Sequence, residues 1–111
     1  MRIKEAQNKI LESDESRGWD KHWNLRNMLS KLVKEVGGIW NILKLIDDET
    51  QMKIVAENKN KISDDMGNIL LLILIIANQM KIDSETSLKN ALLSYEKIGY
   101  ANKLIGGIDN K

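Results

Sequence analysis

The sequence predicts an all-α fold, formed by a single domain over residues 1–111. It contains no proline, so no residue forces a helix to break, and it is rich in helix-favouring Leu, Lys and Glu. Apolar residues recur at intervals of three and four, which is the period of an amphipathic helix. The evenly spaced short strands of a sandwich or barrel are missing from the pattern.

Composition excludes several classes of protein. The 17 Lys and Arg residues nearly balance the 16 Asp and Glu residues, which disfavours a general binder of nucleic acid. There is no cysteine and only one histidine, His22, so one chain cannot form a thiolate zinc site or a two-histidine metal site. The longest apolar run, residues 69–77, is much shorter than the roughly 20 residues of a membrane span. With no signal peptide at the N-terminus, the sequence predicts a cytoplasmic protein without membrane contact.

In the first half of the chain, the periodicity predicts two helices. The first helix covers residues 2–14, and the pattern is then broken over residues 16–23, which we interpret as a loop anchored by two tryptophans. Asn24 is a good N-cap for the second helix, which keeps its period to about residue 46. The glycine pair inside this helix, Gly37 and Gly38, either weakens it or allows a close approach by another segment.

The second half begins with the acidic run at residues 47–49, which is unfavourable at a helix C-terminus and predicts a break. A short helix follows around residues 52–56, and a third major helix runs from about residue 63 to residue 80. Residues 69–77 are apolar on every side, a pattern typical of a helix that is buried all round. Three short helices of one chain cannot surround it, so the sequence predicts a homo-oligomer.

Asp83 or Ser84 caps a last major helix, in which Leu88, Leu92 and Tyr95 form the inner face. Residues 101–111 then form a C-terminal tail.

Carboxylates on helices are the strongest candidates for chemistry. Glu35 lies on the second helix, and Asp65 lies on the third, with Asp64 beside it and Asn68 three residues further along the same face. Two antiparallel helices can present these oxygens to one Mg²⁺ ion, which prefers hard oxygen ligands. The alternative interpretation is structural: Glu35 pairs with Lys31 at i, i+4, and the two aspartates are ordinary acids at a helix N-terminus.

Four short segments follow one another in a recognisable order, namely Arg17-Gly18-Trp19, Lys34-Glu35-Val36-Gly37-Gly38, Asp65-Met66-Gly67-Asn68 and Lys81-Ile82-Asp83. They resemble the RGW, EExxE, ExxD and GID segments of the MazG-like family of all-α NTP pyrophosphohydrolases. The resemblance covers residues 17–100. It implies a four-helix bundle assembled as a tight homodimer or as a dimer of dimers.

The resemblance also implies a reaction. It is the Mg²⁺-dependent cleavage of a nucleoside triphosphate, (d)NTP, to the monophosphate and pyrophosphate, with Mn²⁺ as a substitute metal. Glu35 and Asp65 occupy catalytic positions and, with Asn68, metal-binding positions, while Asp64 can replace a lost acid because it lies one turn from Asn68. The residues placed near a nucleotide are Arg17, Trp19, Lys21 and Lys97.

Departures from the family pattern limit this expectation. Only Glu35 and Asp65 keep an acid at the five acidic positions, since Lys34, Gly38 and Asn68 replace the others. Fewer negative charges weaken Mg²⁺ binding, so the activity is expected to be weak. Two alternatives follow: a degenerate homologue that binds a nucleotide or a protein as a dimer, and an unrelated helical oligomerisation module.

Overall fold

The computed structural model describes residues 1–97, and this part of the chain contains five α-helices and no strand. The helices are α1 (Ile3–Arg17), α2 (Leu25–Leu43), α3 (Asp48–Glu57), α4 (Lys59–Met80) and α5 (Ser84–Tyr95), and a short 3₁₀ turn (Trp19–Lys21) joins α1 to α2. The predicted all-α class is confirmed. The predicted tail, residues 101–111, lies outside the described residues.

Side-chain caps set the start of three helices. Asn24 accepts the backbone N–H of Asn27 at the start of α2, as predicted, and Asp83 caps α5. Asp47 accepts the backbone N–H of Thr50 at 2.8 Å and begins α3. The acidic run at residues 47–49 therefore follows a break in the chain, as predicted, and it lies where the dipole of α3 favours negative charge.

Other helix boundaries differ from the prediction. The first helix continues to Arg17, because Gly18 takes a left-handed conformation with φ of 71° and ends it only there. The helix α4 begins at Lys59, one turn before the predicted start, so the aspartates at 64 and 65 lie in its second turn. The glycine pair, Gly37 and Gly38, lies inside an unbroken α2, and nothing lies within 4 Å of where their Cβ atoms would be.

The core lies where α4 packs against α2 and α1. Its buried apolar residues are Met28, Leu72, Ile75 and Ile76, with Ile10, Trp23 and Leu32 packed against them. The helices of the single chain do not bury residues 69–77 on every side, as predicted, because Leu70 is 60% exposed and Ile73 41% exposed. The homo-oligomer that was expected to complete the burial stays a prediction. One side of α4 faces the core, and residues of its other side line an apolar groove with Ile3 and Ala6 of α1 and Leu88 of α5, which cover it only in part.

A buried glutamine fastens α1 to the turn between α4 and α5. The Gln7 side chain donates to the carbonyl oxygen of Ile82 at 2.7 Å and accepts the backbone N–H of Ser84 at 3.0 Å. Asn78 donates its amide to the Gln7 carbonyl oxygen at 3.1 Å. Buried polar groups are stable when they are hydrogen-bonded in this way, so the junction holds α1 in place as one wall of the bundle.

By length and composition alone, α4 is a candidate membrane span, with 22% of its most apolar 18-residue window buried. The core helix of a soluble protein meets the same two criteria. The predicted cytoplasmic location therefore stays a prediction.

Candidate functional site

A cleft of about 600 Å³ opens between α1, the 3₁₀ turn, α2 and α4. It is open enough at one side to admit a small molecule, and its volume falls within the usual range for small-molecule sites. We call it the α1–α4 cleft. The residues that line it are Lys9, Ile10, Ser13, Asp14, Trp19, Trp23, Met28, Lys31, Glu35, Asn68, Leu71, Leu72 and Ile75.

Two tryptophans form the aromatic wall of the cleft. The left-handed Gly18 turns the chain sharply after α1, so Trp19 and Trp23 come together with ring centroids 6.4 Å apart in an edge-to-face arrangement. The guanidinium carbon of Arg17 lies 4.7 Å from the Trp19 ring centroid, a cation–π contact that covers part of that ring. Trp19 remains 44% exposed.

Trp23 is held by a buried acid. Its indole N–H donates to Oδ2 of Asp14 at 3.0 Å, and Asp14 is only 6% exposed. The bond joins the end of α1 to the residues just before α2, and it fixes the orientation of the Trp23 ring. Asp14 was not predicted as a site residue. The available signal was its position four residues after Ile10, which places it on the inner face of the first helix.

Charged groups of both signs line the cleft. Lys9 and Lys31 bring ammonium groups, and Asp14 and Glu35 bring carboxylates. Within residues 1–97 no ion pair joins Lys31 to Glu35, although their i, i+4 spacing suggested one. The lysines are therefore available to an anionic ligand, while apolar residues of α2 and α4 form most of the remaining wall.

The structure brings some of the predicted site residues together and leaves others apart. Glu35, Asn68 and Trp19 line one cleft, as the resemblance implies. Asp65 does not line it, and its carboxylate is paired with the ammonium group of Lys61 at 2.8 Å. Asp64 is exposed on α4 and is also outside the lining.

The predicted nucleotide-binding residues divide in the same way. Arg17 reaches the cleft indirectly, through its contact with Trp19. Lys21 is exposed at the end of the 3₁₀ turn, and Lys97 follows α5, and neither lines the cleft. Sequence reasoning also missed Lys9 and Ser13, because they precede the segment that carries the resemblance.

Of the three positions that replace acids in the family pattern, Asn68 lines the cleft, whereas Lys34 and Gly38 do not. Lys34 is exposed, and a side chain at Gly38 would meet open space. In the part of the chain that the structure describes, no three His, Cys, Asp or Glu side chains lie close enough to hold one metal ion. Glu35 is the only carboxylate of the predicted metal set that lines the cleft.

Comparison with models of protein families, with curated proteins and with solved structures yields no match to this chain. The resemblance to the MazG-like family therefore stays an expectation, carried by the four short segments of the sequence.

Proposed function

We propose that the α1–α4 cleft binds a nucleoside phosphate. The observation that carries the proposal is that one cleft is lined by both an exposed indole ring and two lysines. These lysines form no ion pair within residues 1–97. An aromatic surface stacks against a nucleobase, and ammonium groups attract phosphate oxygens. The resemblance to a family that acts on nucleoside triphosphates supports the same ligand class.

Each part of a nucleoside phosphate has a suitable partner in the wall of the cleft. The exposed ring of Trp19 suits the base, and Lys9 and Lys31, on two different helices, suit the phosphates. Glu35 can accept hydrogen bonds from sugar hydroxyls, and Asn68 can both donate and accept. The cleft thus offers an aromatic, a cationic and a hydrogen-bonding surface to one molecule.

A direct test is calorimetric titration of the chain with nucleoside mono-, di- and triphosphates, with and without Mg²⁺. Lys31→Ala is expected to weaken binding by about tenfold or more, because it removes a charged partner of the phosphates. Lys34→Ala is the matched control, since Lys34 is exposed on the same helix and lies outside the cleft. The proposal is overturned if no nucleoside phosphate binds at millimolar concentration, or if both variants weaken binding equally.

Mg²⁺-dependent hydrolysis is the second candidate function. It is favoured by Glu35 and Asn68, which line the same cleft as the proposed nucleotide contacts. The remaining donors fit a magnesium site poorly: the carboxylate of Asp65 lies outside the cleft lining and is paired with Lys61, and no cluster of three His, Cys, Asp or Glu ligands exists within residues 1–97. The geometry therefore supports nucleotide binding better than it supports catalysis by the single chain.

The assay for hydrolysis is pyrophosphate release from NTPs and dNTPs with Mg²⁺ or Mn²⁺. The native chain is compared with a triple variant, Lys34→Glu, Gly38→Glu and Asn68→Asp, which restores the acids of the family pattern. Release by the native chain establishes an enzyme with a reduced site. Release by the triple variant alone supports a MazG-like scaffold that now only binds, and the absence of release from both contradicts the family resemblance.

A further inference from the structure

Asp14 has a buried carboxylate with one oxygen that no group of the described chain uses. The residue is 6% exposed, and its Oδ2 accepts the indole N–H of Trp23 at 3.0 Å. Within residues 1–97 the other oxygen, Oδ1, accepts no hydrogen bond, and the carboxylate forms no ion pair. Burying a charged group is costly unless hydrogen bonds compensate it, and an ionised carboxylate only accepts them. Oδ1 therefore lacks a donor.

The α1–α4 cleft is the place from which a donor can reach Oδ1. Asp14 is one of the residues that line the cleft. Within residues 1–97, only Asp20 has a fully buried side-chain oxygen without a hydrogen-bond partner. Oδ1 of Asp14 therefore keeps contact with open space, and the cleft supplies that space. A ligand in the cleft can provide the missing donor.

Asp14 belongs to the aromatic end of the cleft. Trp23, which donates to Asp14, contacts the Trp19 ring edge to face, with the two ring centroids 6.4 Å apart. One indole thus separates the carboxylate from the ring that is proposed to stack on a base. A nucleobase is about as wide as an indole, so a base stacked on Trp19 is wide enough to bring one edge to Asp14.

The charges of the cleft place the phosphates away from Asp14. A carboxylate repels phosphate oxygens, whereas the ammonium groups of Lys9 and Lys31 attract them. Lys9 precedes Asp14 by five residues on α1, or about 7.5 Å along the helix axis. Glu35 lies one turn from Lys31 on α2, which suits a sugar next to the phosphates. Asp14 is thereby left to the base.

We propose that Asp14 selects the base of the bound nucleotide, with Oδ1 accepting a hydrogen bond from the exocyclic amino group of adenine or cytosine. Uracil and thymine carry a carbonyl oxygen at the corresponding position, and two acceptors that face each other repel. The inference rests on the proposed binding of nucleoside phosphates in the same cleft. It adds the part of the ligand that the cleft discriminates and the residue that does so.

The first test compares nucleotides that differ at this edge of the base. Calorimetry measures the affinity of the native chain for CTP and for UTP in the same buffer with Mg²⁺. We expect CTP to bind at least about tenfold more tightly, because UTP leaves a charged acceptor without a donor. Purine riboside triphosphate, which is ATP without its amino group, is expected to bind more weakly than ATP by a similar factor.

Asp14→Asn tests the direction of the hydrogen bond. Its amide oxygen is needed as the acceptor for the Trp23 indole N–H, so the amide N–H₂ group faces the cleft as a donor. We expect the preference to reverse, with UTP bound more tightly than CTP. A purely structural role of Asp14 would weaken both nucleotides alike and leave their ratio unchanged. Glu12→Gln is the matched control, because it removes the same charge from an exposed position of α1 outside the cleft, and it is expected to keep the native ratio.

The failures of the two proposals are distinguishable. Equal affinities of the native chain for CTP and UTP, or a preference for UTP, overturn the role of Asp14 and leave the nucleotide site standing. Absence of binding by all four nucleotides at millimolar concentration overturns both proposals. A preference for CTP that a folded Asp14→Asn variant retains also overturns the role of Asp14, because another group must then recognise the base.

A second measurement on the native chain applies even if Asp14→Asn does not fold. The indole N–H of Trp23 shares the Asp14 carboxylate with the proposed amino donor, so its NMR resonance reports on that carboxylate. We expect saturating CTP to shift this resonance further than saturating UTP. Equal shifts overturn the proposal.

Discussion

The apolar surface of α2 has two halves, which differ in the charged residues beside them and in how far they are buried. The half that faces α4 includes the buried Met28, and Lys31 and Glu35 stand beside it at the α1–α4 cleft. The other half, which we call the α2 stripe, has no charged member and is between 37% and 71% exposed; it consists of Leu25, Leu29, Val33, Val36 and Trp40. Charged groups remain hydrated in an open cleft. Covering an uncharged apolar face carries no cost of removing charges from water. The two halves therefore differ in polarity: charged groups adjoin the first, and the second is entirely uncharged.

The largest expected effect is a difference in stability between alanine variants of two neighbouring residues, one on each half of α2. Met28→Ala removes a buried core side chain and is expected to lower the free energy of unfolding by about 2–5 kcal/mol. Leu29→Ala, on the stripe, is expected to cost less than half as much at the lowest measurable protein concentration, because Leu29 is 41% exposed in the single chain. Urea unfolding measures both. Equal costs at that dilution contradict the division of α2 into a packed and an open half.

The next effect concerns Asp14, the buried carboxylate in the lining of the cleft. Asp14→Ala leaves the Trp23 indole N–H without its acceptor. It is expected to lower the free energy of unfolding by about 1–3 kcal/mol. Asp14→Asn keeps an acceptor oxygen and is expected to cost less. The control on the same helix is Glu12→Ala, whose side chain is exposed and whose effect is expected to be about 0.5 kcal/mol or smaller. If the control costs as much as Asp14→Ala, the bond does not stabilise the cleft.

Two glycines are expected to respond to alanine with opposite signs. Gly38→Ala is expected to raise stability by about 1 kcal/mol, because it lies inside α2 with open space around its Cβ position. Gly18→Ala is expected to lower stability by about 1 kcal/mol, since the φ of 71° strains any residue with a Cβ. Thermal unfolding of both variants, made in the same background, decides the signs. A destabilising Gly38→Ala would indicate that another segment approaches α2 closely at this site.

The smallest expected effect concerns Asp47, which lies outside both halves of α2. It serves as a reference for the effects expected there. The hydroxyl of Thr50, and then its backbone N–H, hold the pKa of Asp47 below its usual value of 3.8. The folded state thus favours the charged carboxylate, and these bonds contribute to the stability of the fold. The contribution to stability is complete above the pKa of Asp47 in the unfolded chain, and it is lost as the pH falls through the lower pKa of the folded state. Stability is expected to decline below about pH 4 on this account.

Asp47→Asn is expected to flatten part of that decline while keeping a good N-cap for α3. Glu49→Gln removes a charge from the same turn but leaves the bonds between Asp47 and Thr50 in place. Unfolding followed from pH 5 to pH 2 compares the two variants. An unchanged slope in Asp47→Asn would show that other groups cause the acid dependence.

Much of the fold was predictable because local signals are strong in a helical chain. The apolar period identified α2 and α4, and residue type identified the cap at Asn24 and narrowed the cap of α5 to Asp83 or Ser84, of which the structure shows Asp83. The extra turn of α1 was missed, because polar residues continued the helix until Gly18 ended it. The incomplete burial of α4 within one chain was predicted, because three short helices cannot surround a run that is apolar on every side.

The site was predictable only in part. Glu35 and Asn68 could be matched to a motif, and the structure brings both to the cleft. Asp65 was predicted to share a site with Glu35, but it lies outside the lining of the cleft and pairs with Lys61. Its i, i+4 spacing from Lys61 is visible in the sequence, whereas the choice between this partner and a metal ion is not. Lys9 and Asp14 come from a helix whose place in the bundle is set by contacts distant in sequence. No local pattern reports such contacts.

The Gln7 junction has a consequence for the order of folding. Its hydrogen bonds join residues 75 and 77 positions apart in the chain, so they form only after a long loop has closed. Contacts of this kind form late, and we expect α1 to dock after α2 and α4 have paired. Backbone amides of α1 should then exchange with deuterium faster than those near Ile75. Because α1 supplies one wall of the α1–α4 cleft, we expect the cleft to assemble after α2 and α4 have paired and to open before they separate.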